Sequence, residues 1–442
     1  VINSMSNYRK IQAEDCPCRE GMFPRGKVSR RGLLFAVGST VGVSSASLVR
    51  PALAAALSAP PGSIRYDVAA DPTKEQGRPT FEDGGYGSRS QFETAVRLLA
   101  PNPNPNTTFT PLADLLGNIT LSGLHFERHH AGIPVIDPAK HSLVIHGLVG
   151  TPKRFTMADI RRMPSVTRKH FIECSGNTLS GWTGQMEKTV QASHGLLSTS
   201  DWTGVLFSEF AKQVGLKPEG TWVLAEGSDG AVMTRSIPME KMLRDAILAY
   251  GQNGEAIRPE QGYPLRLVLP GYEGNTHIKW IQSLQVSGAP FMSREETSKY
   301  TDLMPDGVAW EFVFEMDAKS VITFPSGAMR LPGPGFYEIT GLAWSGRGRI
   351  SGVEVSTDGG ATWQKADLEG IPEPICTIRF KLPWMWDGKP RVLLSRCADE
   401  TGYVQPIRKQ LVEQRGVNAF YHYNGIQAWG VGPDGSVSNA AA

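Results

Sequence analysis

A marked surplus of one sign of charge is missing from most of this 442-residue chain. Residues 1–54 hold eight Lys/Arg against three Asp/Glu, and the rest of the chain holds 37 against 40. No basic surplus remains there to match a phosphate backbone, which excludes a nucleic-acid-binding class. Cysteine is scarce: five in all, with Cys16 and Cys18 near the start and Cys174, Cys376 and Cys397 beyond. No C-x-x-C-H and no paired C-x-x-C occurs, so no c-type haem, zinc ribbon or iron–sulfur cluster is expected on this chain. Long apolar runs are absent too. The stretch 32–49 is uncharged but short and diluted by Ser, Thr and Gly, and no other stretch approaches a spanning length. Internal repeats and heptads are also lacking. Abundant Gly and Pro, 48 and 31 residues, favour many turns and short strands over long helices.

The first segment reads as an address. Ser29-Arg30-Arg31-Gly32-Leu33-Leu34 matches the twin-arginine export pattern, and Ala52-Leu53-Ala54 is an A-x-A cleavage site, with Ala56 as a second candidate. Residues 1–54 are therefore expected to be a signal peptide, and the mature chain to lie in the periplasm without a membrane span. Export in a folded state points to a cofactor inserted beforehand. In that oxidising compartment Cys376 and Cys397, in two strand-like runs of one region, leave a disulfide and two buried thiols equally open, with Cys174 the odd one.

Residues 55–110, rich in Pro, Gly, Asn and Ser, read as an extended arm. In 111–317, strand-like runs at 143–145, 221–225, 265–269 and 278–286 alternate with modest helices, an α+β pattern. Thr156 and Asp159 have capping-box spacing before a short helix that Pro164 stops, and 206–214 and 239–250 carry apolar residues at helical spacing. After Pro325 the period changes to two. Val353 and Val355 alternate with polar neighbours, Asp358-Gly359-Gly360 turns and Trp363 begins the return; Ile378 and Phe380, then Val392 and Leu394, continue it. A β-sandwich over 318–428 and a C-terminal tail over 429–442 follow from this.

Chemistry concentrates at Phe171-Ile172-Glu173-Cys174-Ser175-Gly176-Asn177, where an apolar strand breaks into a turn and presents a sulfur at a sheet edge. A thiolate is a soft donor for a redox metal and needs positive neighbours to stay ionised. The segment Cys174-Ser175-Gly176-Asn177 resembles the C-[SA]-G-N turn of the sulfite oxidase family of molybdenum–pterin enzymes, whose cysteine ligates the metal. The likeness continues from near Gly123 to near Ala428. Phe126-Glu127-Arg128-His129-His130 resembles the family's F/Y-x-R-x-H element, which implies pterin contacts from Phe126, Arg128 and His130 and an arginine, Arg128, at the metal. Glu226-Gly227-Ser228-Asp229 resembles the segment giving an acidic contact to the pterin, through Asp229, and Tyr263-Pro264-Leu265-Arg266 the one supplying a cofactor-binding arginine. Pro270-Gly271, a loop ending in His277, and Ile278-Lys279-Trp280 resemble the P-G-x7-[VI]-K-W signature that holds the cofactor. Gln261 stands where the family has a pterin-contacting histidine, and Tyr300 resembles the active-site tyrosine. Arg415-Gly416-Val417 resembles a late segment whose arginine approaches the substrate pocket. Read singly, His129 and His130 suit a surface, Arg266 an ion pair and Tyr300 a packed core; their joint order carries the resemblance.

What it implies is a molybdopterin-binding catalytic domain followed by an immunoglobulin-like dimerisation domain, with Val353–Gly360 and Trp363 the most specific stretch of the latter. The implied site comprises Cys174 on the metal, Arg128, Tyr300 and Arg415 as catalytic groups, and Phe126, Arg128, His130, Asp229, Gln261, Arg266, His277, Ile278 and Lys279 on the cofactor. Sulfite oxidases proper carry an arginine shortly after the metal cysteine, where this chain has Thr178 and Leu179. With the export signal, that departure resembles the sulfane dehydrogenase branch of the family. The branch implies oxidation of a sulfane sulfur on a carrier protein in thiosulfate and sulfur oxidation, with electrons leaving to a dihaem c-type cytochrome subunit and a homodimer core within a heterotetramer. The first alternative is a periplasmic sulfite dehydrogenase with a cytochrome c acceptor; a sulfoxide reductase and a non-catalytic assembly partner follow.

Overall fold

The computed structural model describes residues 61–64, 86–100 and 107–441. The expected signal peptide lies outside the described residues, as does much of the expected arm. Contacts divide the chain into Val1–Ser88 and Arg89–Ala442. The described residues of the first unit form a turn and a bend, with no helix or strand among them.

The second unit is built mainly of sheet. Its first five-stranded sheet orders Glu255–Ala256, Ile247–Gln252, Leu197–Leu206 and Val166–Glu173, with Arg266–Val268 also paired to Ile247–Gln252. A second orders Lys153–Thr156, Ser142–Gly147, Ile281–Ser287, Trp222–Gly227 and Thr234–Pro238. Ser142–Gly147 and Ile281–Ser287 run parallel, joined by a long crossover, and the other pairs are antiparallel. Short helices pack against these sheets. Met157–Arg161 starts with the capping box expected at Thr156: Thr156 Oγ1 accepts from Asp159 N at 3.1 Å and Asp159 Oδ2 from Thr156 N at 3.0 Å. Helix Phe207–Val214 buries Phe207, Phe210, Ala211 and Val214.

The apolar spacing over 239–250 misleads in its second half. The helix ends at Asp245, and Ile247–Gln252 is a central strand whose Ile247, Leu248 and Ala249 are fully buried. A strand buried on both faces reads as a continuous apolar run, and such a run fits helical spacing as well.

From Lys319 onward two sheets form a sandwich. One orders Lys319–Phe324, Gly335–Trp344, Ile378–Trp386 and Asp367–Leu368; the other Gln364–Lys365, Ile350–Ser356, Arg391–Asp399, Ala428–Val431 and Val437–Ala440. Val353, Val355, Phe380, Leu393 and three tryptophans, Trp344, Trp386 and Trp429, fill the space between them. The same apolar cluster takes in Phe171, Val190 and Leu197 from the first part, so the two halves share a core. The described part of the expected tail, residues 429–441, does not trail. Val437–Ala440 pairs with Ala428–Val431, and Trp429 is buried with Nε1 donating to Ile322 O at 3.0 Å. The end of the expected arm is also structured: Leu98–Leu99, Thr107–Phe109 and Glu127–Arg128 make a small sheet. Cys376 and Cys397 are free buried thiols, and burial holds the Cys376 thiol up at about 12.

Candidate active site

A cavity of about 320 Å³ opens where the first part of the chain meets the segment between the sandwich strands Arg391–Asp399 and Ala428–Val431. Strand Val166–Glu173 ends at its wall. Cys174 N continues the ladder to Leu196 O at 3.0 Å, and Asn177 N closes a turn onto Cys174 O at 2.8 Å. Asn177 Oδ1 accepts from Leu196 N, which ties the turn to the same neighbour. The loop bearing Gly274 lies directly on this turn. A Cβ at Gly274 would sit 2.8 Å from Glu173 O, so only glycine allows the approach. Burial holds the Cys174 thiol above its usual range, while Arg128 pulls it down. A thiolate here therefore needs a metal or more positive charge.

Cations outnumber acids on the wall. Arg128, Arg266, Lys279 and Lys299 all line the cavity, and among the described residues none of them forms an ion pair with a carboxylate. Arg266 is 3 % exposed, donates to Gln261 O at 2.9 Å and to His277 O at 3.4 Å, and stacks over Trp202. Burial lowers it to about 9, and its Nε has no partner. Lys279 Nζ donates to Arg128 O and Glu260 O, both at 3.0 Å, and lies over the Trp280 ring. Burial, then the charge of Arg266, lowers it to about 7. Asp229 is the one acid among the lining residues and accepts from Met233 N.

The other expected residues converge on the same space. Phe126, His130, Gln261, His277, Ile278 and Tyr300 all line it. Burial, then Arg128, lowers His130 to about 4, so it is neutral at pH 7. Gln261 Nε2 donates to Phe126 O at 2.8 Å, locking two walls together. His277 offers no free polar side-chain atom: Nδ1 accepts from Leu269 N and Nε2 donates to Tyr272 O. Its part is to hold its own loop. Burial raises the Tyr300 phenol above its usual range, and the Arg235 guanidinium sits 5.1 Å over its ring.

Arg415 is the exception. It ends helix Arg408–Arg415, is not among the lining residues, and donates Nη1 to His422 O at 3.3 Å. Phe420 and Tyr421 from the same segment reach the cavity instead, Tyr421 lying 5.1 Å ring to ring from Tyr300. Behind them His422 is buried between two carboxylates, Nδ1 3.1 Å from Asp302 Oδ2 and Nε2 3.2 Å from Glu273 Oε2. The Glu273 contact meets the ion-pair distance without hydrogen-bond alignment. Burial alone would lower His422, but the two carboxylates outweigh it and hold it at about 9.

Sequence reasoning passed over several of these residues. His125 lines the cavity, stacked on Phe126 and edge-on to Trp202; burial lowers it to about 3 and its Nε2 has no partner. Asn275 donates to Ser175 Oγ while its own Oδ1 is left without a partner. His125 flanks one segment already singled out and Asn275 lies inside another, and that placement was the available signal. Backbone strain also gathers here. Thr178, Val232, Trp280, Tyr300 and His422 have φ between 47° and 64°, in or beside the cavity.

Comparison with known proteins shows which family the chain resembles. An oxidoreductase molybdopterin binding domain matches residues 130–295, and a Mo-co oxidoreductase dimerisation domain matches 311–428. A chain of the crystal structure of the sulfane dehydrogenase SoxCD from Paracoccus pantotrophus is 44 % identical. It covers 84 % of this chain and 96 % of its own length, with a TM-score of 0.81. The chain belongs to the sulfite oxidase family. Sulfite oxidase of mouse mitochondria is 30 % identical over 318 residues, 66 % of this chain and 58 % of that protein. The barley nitrate reductase [NAD(P)H] is 30 % identical over 331 residues, 66 % of this chain and 36 % of that enzyme. This chain thus spans less than two thirds of those two relatives.

Sulfite oxidase family members use molybdenum held by molybdopterin, and the cavity fits that group on its own chemistry. Two cations with no ion pair among the described residues, the buried Arg266 and the half-buried Lys279, suit a phosphate. Unpartnered buried polar atoms at His125 Nε2, Arg266 Nε and Asn275 Oδ1 suit a polar heterocycle. Cys174 supplies one soft donor, and among the described residues no cluster of three His, Cys, Asp or Glu accompanies it. Such a donor set suits a metal whose other ligands arrive with a cofactor.

Proposed function

We propose that this chain is a periplasmic molybdenum-dependent dehydrogenase that oxidises a sulfane sulfur carried on a partner protein and passes the electrons to a c-type dihaem cytochrome subunit. The observation that carries this reading is the turn after Cys174. An exposed Leu179 lines the cavity there, where sulfite-oxidising relatives carry an arginine for the free anion. The likeness to a sulfane dehydrogenase supports the same choice. Export by the twin-arginine route rests on Arg30 and Arg31, and among the described residues no helix is long and apolar enough to cross a membrane. A homodimer core within a heterotetramer is part of the proposal, supported by the dimerisation region.

Cys174 holds the metal. Arg266 and Lys279 take the anionic end of the cofactor, and Phe126, His130, Asp229, Gln261 and Ile278 enclose its rings, with His277 fixing the loop. When bound, the cofactor supplies two-electron oxygen-transfer chemistry at its metal. Per turnover the sulfur gains one oxygen from water, with two protons and two electrons released. Arg128 stabilises negative charge on the reacting sulfur group from the cavity wall. Tyr300 stays protonated at neutral pH because burial disfavours its phenolate, so it acts as a hydrogen-bond donor. Phe420, 52 % exposed, and Leu179, 43 % exposed, give the wall an apolar margin suited to a polypeptide-borne sulfur. Arg415 acts through His422 rather than on the substrate.

Anaerobic mixing of the metal-loaded chain with sulfite and, separately, with a sulfane-loaded carrier tests this reading by absorbance. Reduction by the carrier alone is the expected result. Fast reduction by free sulfite overturns it in favour of a sulfite dehydrogenase.

A further inference from the structure

The turn that presents Cys174 is fixed by side chains from the sandwich. Glu173, immediately before the cysteine, is fully buried, and its carboxylate accepts three donors: Asn177 Nδ2 at 2.8 Å, Lys319 Nζ at 2.9 Å and Trp344 Nε1 at 2.6 Å. Lys319 and Trp344 lie on the first two sandwich strands. Lys319 is 1 % exposed and makes a second bond, to Thr178 Oγ1 at 2.7 Å. One ammonium group therefore grips the chain on both sides of the cysteine, at 173 and at 178. Thr178 has φ +64°, a conformation that a threonine keeps only under constraint, and its hydroxyl also contacts Tyr423 O.

A buried ion pair is a poor source of stability, because desolvating both charges offsets their attraction, and apolar side chains would fill this core as well. Its placement points elsewhere. We propose that Lys319 is a positioning residue for the metal-binding cysteine, which makes the sandwich a working part of the catalytic site. The inference rests on the reading of Cys174 as the metal ligand. By tying Glu173 to Thr178, Lys319 sets the span of the turn and with it the direction of the sulfur. Lys319 is not among the residues that line the cavity, so it holds the turn from behind.

The test uses the full-length, metal-loaded protein with Lys319→Met and the double variant Glu173→Gln/Lys319→Met. Partners that orient metal ligands typically contribute about 10- to 100-fold in activity or metal affinity. Lys319→Met is expected to lower kcat within that range at little-changed KM, and to alter the electron paramagnetic resonance signal of the half-reduced metal. The double variant leaves no unpaired buried carboxylate, so it regains thermal stability. Its kcat and resonance signal are expected to stay altered. A double variant with wild-type kcat and signal overturns the proposal and leaves a structural ion pair. Should Lys319→Met fail to fold, the double variant decides alone. An unchanged signal in Cys174→Ser would refute the underlying metal reading, whatever Lys319 does.

Discussion

Lys279 gives the sharpest physical prediction, because burial and the charge of Arg266 outweigh the pull of Glu127 and Asp229 on its amine. In the cofactor-free protein its amine is held at about 7, against 10.5 for an ordinary lysine. Below about pH 7 folding brings the ammonium into the cavity at full cost. Above that, the folded amine is neutral while the unfolded lysine keeps its proton up to about 10.5, so stability climbs with pH across the interval. From about pH 6 to about pH 9 the gain is about 2.5 kcal/mol, a ceiling because water in the open cavity screens the charge. Lys279→Met removes this term. Urea unfolding of both cofactor-free proteins across that range should show the wild type gaining on the variant as pH rises. Pyrophosphate should flatten the difference by restoring a counter-charge. A gap between the two proteins that does not change with pH would refute the reasoning, and so would one that closes in the opposite direction.

The other predictions concern the cavity margin and its outer support. Leu179→Arg places a cation at a position that has none and should tighten sulfite binding about tenfold, as a charge-assisted bond of about 1.5 kcal/mol would. Equilibrium titration of the metal-loaded proteins with sulfite checks it, and an unchanged affinity would show that position 179 does not set specificity. Arg97 bridges Glu127 at 3.0 Å and Glu260 at 3.6 Å from outside, across the same two segments that Lys279 joins from within. Arg97→Ala should therefore speed cofactor loss on warming about fivefold, the equivalent of about 1 kcal/mol for a partly exposed pair. Pterin fluorescence after gel filtration measures the loss, and a wild-type rate would remove Arg97 from the support.

How much of this was legible in the sequence follows from the distance between partners. The Cys174 turn, the Phe126–His130 element and the loop ending in His277 are each local, and each brings its lining residues to the cavity. The Thr156 capping box and the period-two strands were readable for the same reason. Longer-range features were not. Lys319 meets Glu173 across 146 positions and Arg97 meets Glu127 across 30, and no spacing rule links either pair. Arg415 lies near the cavity in sequence, yet the helix it ends directs it to His422 O while Phe420 and Tyr421 turn inward. Residues 429–442 looked like a tail because a final edge strand with polar Ser438 and Asn439 carries little apolar pattern.

Molybdenum and pterin content, with X-ray absorption at the metal, in the wild type and Cys174→Ser tests the central claim most directly. The account predicts a loaded wild type with a protein sulfur on the metal, and a variant that lacks that sulfur and does not turn over. A variant with the same metal–sulfur signature and full turnover would contradict it.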